Sequence, residues 1–160
     1  MIESVRFTNA ENSTVRIEPY EVTTNYPADN SYSTIVDEWV AEGNTIAPYD
    51  PNYGLTNEQI QKRDIALAEQ IVKSYVQIPI DAYNQANGVN FESVYNCTAY
   101  KDVATYPHKT MCIQAIEWNA QVWESARQLQ INIALGNVAK PATEAEFISH
   151  LPPIPVFGNE

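Results

Sequence analysis

Histidine, cysteine, glycine and basic residues are all scarce in this chain of 160 residues, which holds 2 His, 2 Cys, 5 Gly and 9 Lys+Arg. With only His108 and His150 available, an imidazole-based acid–base centre has few places to be. His108 and Cys112 stand four apart and would share one helix face. Completing a metal set around them would take Cys97 and His150, at spacings unlike the zinc patterns, so a surface His beside a core Cys is the preferred reading. The two cysteines read as small, half-buried hydrophobes kept as thiols in a reducing compartment, and nothing marks Cys112 as an exposed nucleophile. The few glycines form no phosphate-cradling loop, and neither G-x-S-x-G nor H-E-x-x-H occurs. No apolar run approaches the roughly 18 residues of a transmembrane helix. The opening Met-Ile-Glu-Ser-Val-Arg lacks the layout of a signal peptide, so synthesis in a cytoplasm is expected, where the sequons at Asn12 and Asn96 carry no glycan.

The shortage of positive charge is one-sided. Against 9 Lys+Arg stand 20 Asp+Glu, a net charge of −11, which repels phosphate backbones and anionic membrane surfaces. Neither nucleic acid nor membrane is an expected partner. Paired acids such as Asp37-Glu38 and Glu144 with Glu146 fall within helical segments, where solvated faces and helix-dipole partners explain them better than catalysis. No cofactor and no enzymatic activity are expected.

What the chain does have is apolar patterning, at 44% of its residues. Its length makes one domain the default and suffices to bury roughly two-thirds of the unfolded surface. The periodicities predict a mainly α fold: a short N-terminal β-hairpin, then a bundle of four to five helices and an extended Pro-rich tail. Val5 and Phe7, then Val15 and Ile17, alternate with polar residues across an Asn9–Asn12 turn, and Pro19 closes the second strand. Such a ribbon must pack on something or pair with another chain. Ile35, Val36, Trp39 and Val40 recur at helical spacing before a terminating Gly43. A Pro- and Gly-containing segment through Gly54, either a linker or an ordered arm, divides residues 1–54 from a helical body, 55–160.

The body opens with a capping box, Thr56-Asn-Glu-Gln59, flanked by Leu55 and Ile60 as a staple. Ile60, Leu67, Ile71 and Tyr75 form one stripe of a helix over 57–76, which Pro79 should end or kink. A short helix to Gly88 and another over 91–100 follow. The longest helix is expected over 107–135, with Pro107 in its first turn and a seam through Met111, Ala115, Trp118, Val122, Leu129 and Ile133. A second box, Thr143-Glu-Ala-Glu146, starts a final helix, and Pro152-Pro-Ile-Pro155 forces an extended tail. With 10 Tyr and 3 Trp, the surface suits protein contacts. The candidate interface residues are Val5, Phe7, Val15, Ile17, Trp39, Trp123, Phe147, Ile154 and Phe157. Trp118 and Trp123, five apart, point in different directions, and Trp118 is the one assigned to the core.

Five segments, in order, resemble a family of small tailed-bacteriophage proteins, the tail or tail-fibre assembly proteins. Thr8-Asn-Ala-Glu-Asn-Ser-Thr-Val-Arg16 is similar to the short β-leader of that group. Asp37-Glu-Trp-Val-Ala-Glu-Gly-Asn-Thr-Ile-Ala-Pro48 resembles its Trp-x-Ala-x-Gly-Asn-Thr…Pro motif. Gly88-Val-Asn-Phe-Glu-Ser93 with Ala99-Tyr100 looks like the stretch before its long helix. Glu117-Trp-Asn-Ala-Gln-Val-Trp123 is similar to a Trp-Arg-x-x-Val-Trp core, with Asn119 in place of the usual Arg. Pro141-Ala-Thr-Glu-Ala-Glu-Phe-Ile-Ser-His-Leu-Pro152 resembles the closing Pro-Thr-x-x-Glu-Leu-x-x-x-Leu-Pro, with one residue inserted.

The resemblance implies a non-enzymatic protein with no catalytic residues to carry over. It would sit in the virion tail or act in the host cytoplasm during assembly, with other tail or tail-fibre proteins and further copies of itself as the candidate partners. It fits a structural adaptor clasped by its two termini, or a chaperone that covers fibre edges with a detachable hairpin. Two readings from other classes stand beside it. One is an acidic host-directed inhibitor that presents carboxylates in place of phosphate; the other is a small metal- or thiol-dependent enzyme using Cys97, His108 and Cys112.

Overall fold

A computed structural model describes residues 1–158. Among them the chain forms three strands and five helices, and it divides into two compact units, 1–60 and 61–160. The fold is mainly α with a short N-terminal β part, as the periodicities predict.

In the first unit the expected hairpin is a three-stranded antiparallel meander: β1 (Ser4–Phe7), β2 (Thr14–Glu18) and β3 (Val22–Asn25). The register sets Val5 against Ile17 and Phe7 against Val15, so one face carries the apolar side chains. Asn9 builds the first turn, its side-chain oxygen accepting from the N–H groups of Ser13 (2.9 Å) and Thr14 (3.2 Å). β3 escapes the sequence pattern because Val22 is its only apolar residue, and its alternation is between half-exposed and exposed positions. Helix α1 (Ser31–Ala41) starts at Asn30, whose side chain accepts from the backbone of Tyr32 and Ser33, and Val36 closes over Val5, Val15 and Ile17. Gly43, at φ +93°, ends the helix in the left-handed region that other residues avoid. The chain then returns to the sheet: Phe7 donates to the Ala47 carbonyl and the Ala47 N–H to Val5. Of the two readings of this segment, the ordered arm is the one found at Ala47, which pairs along the outer edge of β1.

The second unit contains most of α2 (Asn57–Asn87), with α3 (Val94–Tyr100), α4 (Lys109–Ala134) and α5 (Glu144–Ser149). The Thr56–Gln59 box forms as expected, the backbone of each residue donating to the side chain of the other. Three expectations need correction. α2 runs for 31 residues straight through Pro79, making it, and not α4, the longest helix, and absorbing the separate helix expected before Gly88. Tyr75, Val76, Ile80 and Tyr83 on either side of the proline enter one core, and that packing outweighs the single missing hydrogen bond. Leu67 does not join the stripe; it is 55% exposed, and burial on α2 begins at Ile71. Finally, α4 begins at Lys109 with His108 at its N-cap, leaving Pro107 outside the first turn.

The core of this unit gathers on α4, where Met111, Cys112, Ala115, Trp118, Val122, Ala126 and Leu129 are all buried. Between α2 and α3 the backbone is bracketed by Asn84, which donates to the Phe91 carbonyl and accepts from the Phe91 N–H, both at 2.9 Å. Ser93 and Asn96 then cap α3 reciprocally.

Truncating Ile17 to Ala, at a site 1% exposed, is expected to destabilise the first unit by about 2–5 kcal/mol. Amide hydrogen exchange should show protection lost in β1–β3. Replacing Asn84 with Ala leaves both polar groups of Phe91 without their partner and should cost roughly 1–3 kcal/mol, read as a lower urea midpoint at unchanged m-value.

Candidate functional site

The chemistry-bearing residues are used in packing and capping. His108 Nδ1 shares a 2.7 Å hydrogen bond with the Tyr83 hydroxyl. Its ring lies edge-on to Phe91 and Tyr106, beside a Tyr100–Tyr106 stack with centroids 4.4 Å apart. His150 is the C-cap of α5 through its backbone N–H, and its side chain is exposed. Cys97 and Cys112, expected to be half-buried, are fully buried free thiols. Burial, with the neighbouring Cys112, pushes the Cys97 thiol up to about 12; burial raises Cys112 as well. Neither is a thiolate near neutral pH. Among the described residues no group of three His, Cys, Asp or Glu is placed to hold a metal ion, and no helix is long and apolar enough to cross a membrane.

The acids act as partners for backbone and cations. Glu146 accepts from the Ala142 N–H at the start of α5, where Thr143 caps the helix. Asp37 accepts from the Tyr26 hydroxyl (2.7 Å). Glu124 pairs with Arg127 one turn on. Asp64 on α2 is held below the usual carboxylate range mainly by a hydrogen bond from Lys140, with Arg63 adding to it.

The nine contact candidates separate into two sets. Val5, Val15 and Ile17 form the core of the first unit, and Phe147 and Phe157 belong to that of the second. These five are occupied internally, because one face of so thin a sheet, and one side of so short a helix, must be buried for the unit to hold. Phe7 and Trp39 are half-buried at the margin of the first core. Trp123 is half-buried on the wall of a groove of about 360 Å³ between α2 and α4, whose floor includes Ala68, Val72 and Ala126. Ile154 is exposed.

The most elaborate contact surface, one the periodicities do not disclose, lies where the Pro-rich tail meets α2 and α4. The Tyr75 hydroxyl donates to the Pro152 carbonyl (2.8 Å) and the Trp118 indole N–H to the Pro153 carbonyl (3.2 Å). Tyr75 and Trp118 lie 5.6 Å apart between ring centroids, and Phe157 meets Trp118 edge-on at 6.4 Å. Gln114 accepts from the Gly158 N–H. The aromatic side chains on two helices and the run of prolines are the only traces of this arrangement in the sequence.

Comparison with family models, curated proteins and solved structures finds no match for this chain.

The Asp64–Lys140 pair predicts a definite pH response. Asp64 is depressed in the folded chain, so its contribution is present above the unfolded carboxylate pKa of about 3.9 and is lost as pH falls through the lower folded value. Lys140 is more than half exposed, which limits the pair to roughly 0.2–1 kcal/mol. Asp64→Asn should flatten the acid limb of the stability–pH curve by that amount and leave stability below pH ~2 unchanged.

Proposed function

We propose that this chain is a non-enzymatic accessory protein of a bacteriophage tail, a structural or adaptor component held by protein–protein contacts. The observation that carries the reading is the ordered series of five motif segments, and their places in the fold support it. Gly43 and Asn44 end α1, with the Asn44 side chain donating to the Trp39 carbonyl at 2.8 Å. Phe91 and Ser93 form the bracketed turn and the cap of α3. Trp118 and Val122 are buried on α4, and Thr143 and Glu146 make the box of α5. In the first segment Asn9 builds the turn between β1 and β2; each of the five segments therefore determines where an element begins, ends or packs, which is the kind of residue that a shared fold retains.

The virion-component reading is preferred to the chaperone reading for a physical reason. A detachable hairpin would have to expose Val5, Val15 and Ile17, each at most 1% exposed under Val36. At roughly 1.5–3 kcal/mol per fully buried aliphatic side chain, peeling it away dissolves the first unit. What favours the chaperone reading is β3: it is short and, among the described residues, makes no backbone–backbone bond beyond its ladder with β2, so its outer edge is open to strand addition up to Asn25, whose carbonyl accepts from the Ser33 hydroxyl (3.2 Å) and the Asn30 side chain (3.5 Å). The low content of clustered chemistry and the net charge of −11 fit either role, and leave an acidic inhibitor of a nucleic-acid enzyme as the weaker reading.

Quantitative mass spectrometry of purified mature particles, scaled to the capsid protein, tests the assignment. A fixed low stoichiometry per tail is the expected result. Presence in infected lysate with absence from particles would replace it with the chaperone reading, and absence from both would remove the phage assignment altogether.

A further inference from the structure

Residues 1–60 hold only two basic side chains, Arg6 and Arg16, against ten acids. The register of the sheet sets these two directly opposite each other on β1 and β2. Like charges facing across a strand pair repel, so each calls for a counter-ion. Arg16 has one: its Nε donates to Glu18 at 2.6 Å, and Glu21 lies 4.0 Å from its Nη2. Arg6 has none. Its Nε is the one buried side-chain polar atom without a hydrogen-bond partner among the described residues. Its two terminal nitrogens meet no acceptor there either, but they are not sealed off as Nε is.

The guanidinium is nevertheless held firmly. Its central carbon lies 3.3 Å from the centroid of the Tyr53 ring. The arm that carries Tyr53 is fixed to β1 by the bridge between Ala47 and Arg6 itself. A turn then sets the ring: the Tyr53 N–H donates to the Asp50 carbonyl (3.1 Å), and the Asp50 carboxylate accepts from the Asn52 N–H (2.8 Å). Asp50 is therefore engaged in the turn. A ring face offsets part of a cation's charge but places no acceptor in the guanidinium plane.

We propose that Arg6 is a carboxylate-binding site that takes an aspartate or glutamate side chain of a partner protein on its two terminal nitrogens. With Tyr53 over one face, the open approach is in the plane of the fork, where a carboxylate pairs through both oxygens. A singly charged, planar group suits the site better than phosphate, because Glu18 and Glu21 stand beside it and would repel a second negative charge. The fixed stem means that little freedom is lost when the pair forms. A protein segment is favoured over a free small acid by the setting. Arg6 lies on a sheet face beside Arg16 and Tyr53, whose side chains are 36% exposed and 54% exposed as a residue, respectively. Such an open face offers a small molecule one contact and an extended chain several. The proposal does not rest on the tail assignment.

The test is NMR of the arginine Nε–H groups in the full, isotope-labelled chain near neutral pH and at constant ionic strength. The chain has only four arginines, and Arg6→Lys identifies the Arg6 signal by its loss. The probes are acetyl-Ala-Glu-Ala-amide, its Gln counterpart, acetate and inorganic phosphate. The Glu peptide should shift the Arg6 signal saturably, with a dissociation constant on the order of 10 mM, the weak end of the affinity scale. The Gln peptide should leave it in place, and acetate should bind about threefold more weakly than the Glu peptide. In Arg6→Lys, which keeps the charge but loses the fork, the backbone amides of β1 and β2 should report binding about fivefold weaker. An Arg6 signal indifferent to the Glu peptide overturns the proposal, and so does an equal response to the Gln peptide. Acetate binding as tightly as the peptide would overturn the protein source, and tighter binding of phosphate would overturn the carboxylate assignment. The wild-type titrations stand even where Arg6→Lys costs the fold.

Discussion

Trp118 is the point on which the second unit depends. Its indole packs against Tyr75 of α2 on one side and, on another, Phe157 of the Pro-rich tail, a strap across α2 and α4, and its single N–H is spent on the Pro153 carbonyl. A tryptophan satisfies its one donor only where an acceptor lies in the plane of its ring. The position of that carbonyl therefore constrains strap and helix together. Around it the buried seam of α4 continues in both directions, to Cys112 and Met111 beneath α3 and to Ala126 and Leu129. With α2, α3, α5 and the strap all drawn to one helix, the unit forms around α4 with both cysteines as free thiols.

The same constraint explains where the chemistry-bearing side chains went. His108 is engaged by Tyr83 and surrounded by aromatic edges, and the two thiols meet in the interior. The acids serve helix starts and the scarce cations: Glu146 secures the entry to α5, Asp64 ties α2 to the segment before it, and Glu124 pairs along α4. Among the many exposed polar and acidic residues, the surface also carries apolar positions: the Trp123 groove, Ile154 and Val156.

The two units solve the edge problem of small structures differently. The sheet of the first is only three strands wide, and one outer edge is covered by the returning arm at Ala47 while Val36 shields its apolar face. In the second, the exposed backbone is that of the strap, where three prolines remove the donors that an intruding strand would need. Each unit thereby limits unplanned pairing.

Interactions that span three or four residues were determined by the sequence alone. The capping residues at Thr56 and Thr143, the terminating Gly43, the Val5/Ile17 alternation and the α4 seam all follow from side chains meeting backbone or neighbours within a turn. From these the mainly α class with a β start was legible. Only the tertiary structure decided the passage of α2 through Pro79, the third strand, the arm at Ala47, the Asn84–Phe91 bracket and the burial of the strap against Tyr75 and Trp118. Each depends on partners that the chain brings together over distances its local pattern does not encode. Pro79 stays helical because residues on both sides of it share a core with α4, and Phe157 is a core residue because Trp118, far back along the chain, stands under it. The division of the contact candidates has the same cause: an apolar side chain at a strand or tail position looks the same in sequence whether its neighbour is a partner or its own helix.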